Sequence, residues 1–295
     1  MNPSEQQPAT DDVLFERWLR TATGLSQMRI GFVRLFAAYC TPDELAELSA
    51  IEVTQILHLG DRMRRLLGLT TDNPALRALC FGSNATHEHL PPRIRACFDP
   101  EFPFNHWRQL RAFWAPSMSV VFVRCHGDDP IQPVLAHELT HALFNVLTDG
   151  FPYRPAITEG FARHSEYLFS PESDKELWRG QDRGSGNDGC LIDSEYMSIR
   201  ELMDFDVGEH MWDDPLSIEP FARSASWFCF FLGKLSKYRP RVNRILVELW
   251  REDVRTPEGV FDWLQEATGM NADELERQFY LFCTKGVQPR VPAEG

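Results

Sequence analysis

No C-x-x-C pair occurs anywhere in the 295 residues, and the seven cysteines (Cys40, Cys80, Cys97, Cys125, Cys190, Cys229 and Cys283) are scattered singly. That spacing argues against a disulfide framework or a Cys-rich zinc ribbon and fits buried free thiols in a reducing compartment. Basic residues are also few. The 30 Lys and Arg face 43 Asp and Glu, a formal charge of −13. Nucleic-acid affinity depends on clustered cations that release counterions, so no nucleic-acid partner is expected. Long apolar runs are missing too: the longest stretch, WFCFFLG around Phe228, is far too short to span a bilayer. The first residues, MNPSEQQPATDDVLFERW, carry no basic segment followed by an apolar one. The expectation is a soluble, cytoplasmic protein without a membrane partner, and nothing in the sequence specifies its oligomeric state.

What is present looks globular, with 43% hydrophobic and 12% aromatic residues. The spacing predicts two or three helices over the first 70 residues, through VLFERWLR, MRIGFVRLFAAYC and TPDELAELSAIEVTQILHLGDRMRRLLGL. Thr41 is the expected N-cap of the last of these, with Pro42 at the first helical position and Glu44 completing a capping box. Met118 to Cys125, MSVVFVRC, reads as a strand on its Val and Phe content. A helix follows over VLAHELTHALFNVL, capped by Asp128 or Asp129 and ended near Gly150. AITEGFARHSEYLF forms a second helix with Pro155 near its start. Residues 170–194 are polar and Gly-rich and read as a long loop; a lid is one use for it. The last third returns to helices, with Asn271 and Glu274 as a cap and its partner. The fold class expected is α+β and mostly α-helical. Its divisions would be an N-terminal helical segment (1–70), a metal-binding core (71–170) and a C-terminal helical subdomain (171–295).

The chemistry concentrates at HELTH. His137 and His141 stand one helical turn apart, so both imidazoles project from one face and can meet one ion; Glu138 lies where it can polarise a water on that ion. Glu159 follows His141 by eighteen positions, in TEGFA on the next helix. Without a metal, the two histidines would be polar residues of an amphipathic helix and Glu159 a cap near Pro155. Asp149 is another carboxylate within reach, although beside Gly150 it suits a turn better. His164 is five residues from Glu159 and points elsewhere. His58, His87, His89, His106 and His126 read as surface or core residues.

HELTH followed by TEGFA resembles the gluzincin metallopeptidases, the thermolysin-like and aminopeptidase-like group, and in particular the peptidase MA-like bacterial proteins. The resemblance covers roughly Met118 to Phe169 and is weaker in the C-terminal helices. It implies a zincin-like core with a small antiparallel sheet. It also implies a zinc ion held by His137, His141 and Glu159, with Glu138 as general base and a peptide or protein as substrate. Glu166 is then a candidate to orient a ligand histidine. The strand Met118 to Val123 would bind substrate backbone. The family often supplies a Tyr or His donor to the oxyanion from the C-terminal region, and the aligned position here is Phe221. Tyr196, His210 and Arg223 are the candidates to replace it. The alternative implied by that departure is a zinc-binding scaffold or interaction protein that does not catalyse. An aminopeptidase G-x-M-E-N segment is absent, which leans toward an endopeptidase or a narrow specificity.

Overall fold

The computed structural model describes residues 11–22, 24–91, 95, 112–125, 130–149, 155–169, 191, 194, 196–205, 218–248 and 256–290. Helix α1 (Asp11–Thr21) precedes a hairpin of β1 (Leu25–Ile30) and β2 (Val33–Ala38). The stretch MRIGFVRLFAAYC is therefore not helical as expected. Gly31 takes the left-handed backbone, φ +61°, and the chain reverses over Gly31 and Phe32 so that Ile30 opposes Val33. A two-residue loop with glycine first is the turn whose twist suits a hairpin. That local geometry, with the buried run Val33, Leu35, Phe36, Ala37 and Ala38 on both faces of β2, overrides the helical spacing.

Helices α2 (Pro42–Ser49) and α3 (Val53–Leu66) follow. Thr41 caps α2 in the expected capping box: its hydroxyl accepts from the Glu44 amide, and the Glu44 carboxylate accepts from the Thr41 amide at 2.6 Å. Strand β3 (Leu76–Phe81) leads to β4 (Ala112–Ala115) and β5 (Val120–Arg124). The five strands form one sheet in the order β1-β2-β3-β5-β4.

The sheet is mixed, which corrects the antiparallel expectation. β2 and β3 run parallel, as do β3 and β5, while the outer pairs β1-β2 and β4-β5 are antiparallel. The cause is the crossover. α2 and α3 carry the chain from the end of β2 back to the start of β3, and a helical return makes neighbouring strands parallel. β5 is interior, paired on both sides and buried along its length. It therefore offers no edge to a substrate, contrary to expectation; the edge beside it is β4.

Phe15 of α1 covers one face of the sheet, over Phe36, Leu79, Phe81 and Phe122. The other face, Val33, Leu35, Ala78, Cys80, Val121 and Val123, joins the main core with α3 and α4 (Ile131–Leu147). Helix α5 (Pro155–Phe169) packs on α4, and the later helix Ile218–Leu235 packs on α5 in turn. The C-terminal elements are α6 (Ile199–Asp204), α7 (Ile218–Leu235), α8 (Ile245–Glu248), α9 (Pro257–Thr268) and α10 (Ala272–Lys285). Their Phe228, Phe231, Trp263, Phe279 and Phe282 belong to the same buried cluster as the sheet face under α4. Among the described residues no helix is long and apolar enough to cross a membrane.

Candidate metal centre

Helix α4 lies between the sheet and α5, so most of its circumference is buried, including Glu138 and Thr140. It is not the one-sided amphipathic helix that its sequence suggests. Its N-cap is Pro130, which has no side chain to satisfy the exposed amides; Asp128 and Asp129 lie outside the described residues. Glu47 of α2 takes that role, accepting the Ile131 amide at 2.6 Å. A carboxylate at a helix N-terminus is also favoured by the helix dipole. At the other end Asp149 itself takes the left-handed backbone, φ 55°, and is exposed, while Gly150 is not described.

The two histidines of α4 meet Glu159 of α5. His137 Nε2 lies 3.4 Å from Glu159 Oε1, His141 Nε2 3.3 Å from Glu159 Oε2, and the two Nε2 atoms are 3.2 Å apart. Among the described residues this is the one group of three or more His, Cys, Asp or Glu side chains whose ligand atoms converge closely enough to hold an ion. Glu159 is brought there by its neighbour. A Cβ on Gly160 would stand 2.3 Å from the Ala225 carbonyl oxygen and 2.8 Å from Cys229 Sγ, so only glycine lets α5 approach α7 this closely. The glycine of TEGFA thus has a packing reason.

The spacing tests whether a cation fits. Two ligands at about 2.0–2.1 Å in tetrahedral array stand about 3.3 Å apart; the two Nε2 atoms are 3.2 Å apart, and each lies 3.3 to 3.4 Å from a different oxygen of Glu159, His137 facing Oε1 and His141 facing Oε2. The hydrogen bonding points the same way. His137 Nδ1 is 3.2 Å from Glu166 Oε2, so this nitrogen is the donor and Nε2 is the atom turned toward Glu159. A proton on one Nε2, or a cation among these atoms, would join the two rings to the Glu159 carboxylate.

The charges around the cluster are arranged unevenly. Burial pushes Glu138 up to about 7, helped by the nearby Glu159 and Glu166 carboxylates and opposed by His141 and the Trp114 amide of β4. Glu159 would also be raised by burial, but His137, His141 and Arg163 outweigh this and hold it well below the usual carboxylate range. Glu166 is likewise held low, with burial overcome by His137 and Arg163. Arg163, which the sequence reading passed over, reaches Glu166 at 3.2 Å and Glu159 at 3.7 Å. Its position four residues after Glu159 and three before Glu166 is a helical pairing that the sequence does display. His141 Nδ1 is buried and has no hydrogen-bond partner among the described residues.

The structure brings His137, Glu138, His141, Glu159 and Glu166 together. The other candidates are placed differently. Tyr196 packs on Phe279 and Tyr280 of α10, with ring centroids 5.7 and 5.2 Å away. Arg223 sits half-buried on α7, and His210 lies outside the described residues. Phe221 is buried and stacked on Phe205 at 4.3 Å, a core residue with no donor to offer. No protein-family model matches the chain, and no curated protein sequence matches it.

Proposed function

We propose that the protein is a zinc-dependent peptidase in which His137, His141 and Glu159 hold the metal and Glu138 carries the proton. The observation that supports this best is the convergence of two imidazole nitrogens and one carboxylate at 3.2 to 3.4 Å, beside a second, buried carboxylate on the same helix. Two nitrogens and one oxygen suit zinc, and three protein ligands are the number typical of catalytic sites. When bound, zinc acidifies water toward neutrality and stabilises negative charge on a carbonyl oxygen.

The remaining work falls to the chain. Glu166 fixes the ring of His137 through Nδ1, and Arg163 keeps the Glu166 carboxylate in place. Glu138 takes the proton of the attacking water and returns it to the departing amine, from a carboxyl that burial raises above the ordinary range. A peptide would pair along β4, Ala112–Ala115, whose described pairing is with β5 alone. The deciding experiment is cleavage of a mixed peptide pool followed by mass spectrometry. Cleavage that is lost on chelation, restored by zinc and abolished by Glu138→Gln is the expected result.

The second reading is a zinc-binding scaffold or interaction protein without catalysis, and the burial of Phe221 against Phe205 favours it. A pool left intact by zinc-loaded protein would select this reading.

A further inference from the structure

Away from the metal cluster, one partly buried positive charge has no acid beside it among the described residues. Arg62 of α3 makes no hydrogen bond or ion pair among the described residues, and its Nη1 is buried. Arg62 is half-buried, and a guanidinium nitrogen held out of water without an acceptor is costly, because it loses hydration and gains nothing in return. Beside it His164 of α5 is held neutral, pushed down to about 3 by burial and by the charge of Arg62. Cys229 cannot compensate, since burial raises its thiol and keeps it protonated.

Arg62 lines a cavity of about 190 Å³ between α3 and the last turn of α5, together with Gln55, His58, Leu59, Leu168 and Phe169. Gln55, His58 and Arg62 recur on one face of α3 at positions i, i+3 and i+7. The oxygen of the Gln55 amide already accepts from Gln132, which leaves its NH2 group to donate into the cavity. Among the described residues every polar side chain in this lining can therefore donate, and none is acidic. The volume is below the roughly 300–1,000 Å³ of a pocket for a drug-sized ligand, so it suits a single charged group with a few waters.

We infer that this cavity binds a phosphate-type oxyanion, held by the Arg62 guanidinium with His58 and the Gln55 amide. A tetrahedral anion presents acceptors in several directions and can use all three side chains, whereas a planar carboxylate is satisfied by the guanidinium fork alone. None of its lining residues belongs to the metal cluster.

Thermal unfolding of the full chain in sodium phosphate, against sodium chloride and sodium acetate at matched ionic strength, tests the inference. A ligand that binds the folded state alone raises the midpoint, here by about 2 °C or more at saturation. Phosphate should do this saturably in wild type and in His141→Ala, which separates the effect from phosphate acting at the metal cluster. Arg62→Met should abolish the rise and Gln55→Leu should weaken it. The inference is overturned if phosphate does no more than acetate or chloride. It is also overturned if both variants keep the full response, or if the response disappears in His141→Ala.

Discussion

His137 Nδ1 and Glu166 Oε2 are 3.2 Å apart, so the ring that turns its other nitrogen toward Glu159 is oriented by a second carboxylate. Removing that contact should act on metal affinity without removing a ligand. Glu166→Gln is expected to weaken zinc binding by about 10–100-fold, measured by competition with a chromogenic chelator. Unchanged affinity would mean that the ring is held by its packing alone.

Glu138 is predicted to affect turnover and leave affinity alone. Glu138→Gln should bind zinc as wild type does while the rate on a cleaved peptide falls by at least about 100-fold. A variant that turns over peptide at the wild-type rate would remove Glu138 from the mechanism.

Gly160 links the fold to the site. Gly160→Ala forces a methyl group against the Ala225 carbonyl and Cys229 Sγ. Overpacking of this kind costs about 1–3 kcal/mol, and any adjustment moves Glu159. Urea denaturation should show the lost stability and metal analysis a lowered zinc content. A variant as stable as wild type would show that α5 and α7 are free to separate.

His164 gives stability a pH dependence. Its folded value of about 3 lies below the ordinary 6.5, lowered first by burial and then by Arg62. The unfolded chain therefore binds more protons between these values, and stability falls as pH drops through that window. His164→Phe should flatten the fall between pH 6.5 and about 3 in denaturation curves collected across that range. An unchanged slope would place the proton uptake elsewhere.

Much of the site could be read from spacing alone. His137 and His141 share a helix face because four residues make one turn, and the α4 and α5 segments are legible as helices. The role of Gly160 was not legible, since it depends on Ala225 and Cys229, more than sixty residues away. The hairpin of β1 and β2 was missed because Met28, Phe32, Leu35 and Phe36 also satisfy a helical period; Gly31 was the available signal. Parallel pairing of β2, β3 and β5 follows from crossovers that local patterning does not encode. Strand β4 is four residues long, too short to show a period, yet it carries the Trp114 amide that faces Glu138. Arg163 was visible as a helical pair to Glu159 and Glu166, but it gains meaning only once those carboxylates are known to converge on the histidines.

The central claim is a three-ligand metal centre, and metal content by mass spectrometry tests it most directly, on purified wild type beside His141→Ala and Glu159→Ala. About one zinc per wild-type chain and a clear reduction in both variants are expected. No bound metal in wild type, even after reconstitution with zinc, would reduce HELTH to an ordinary buried helix with polar side chains.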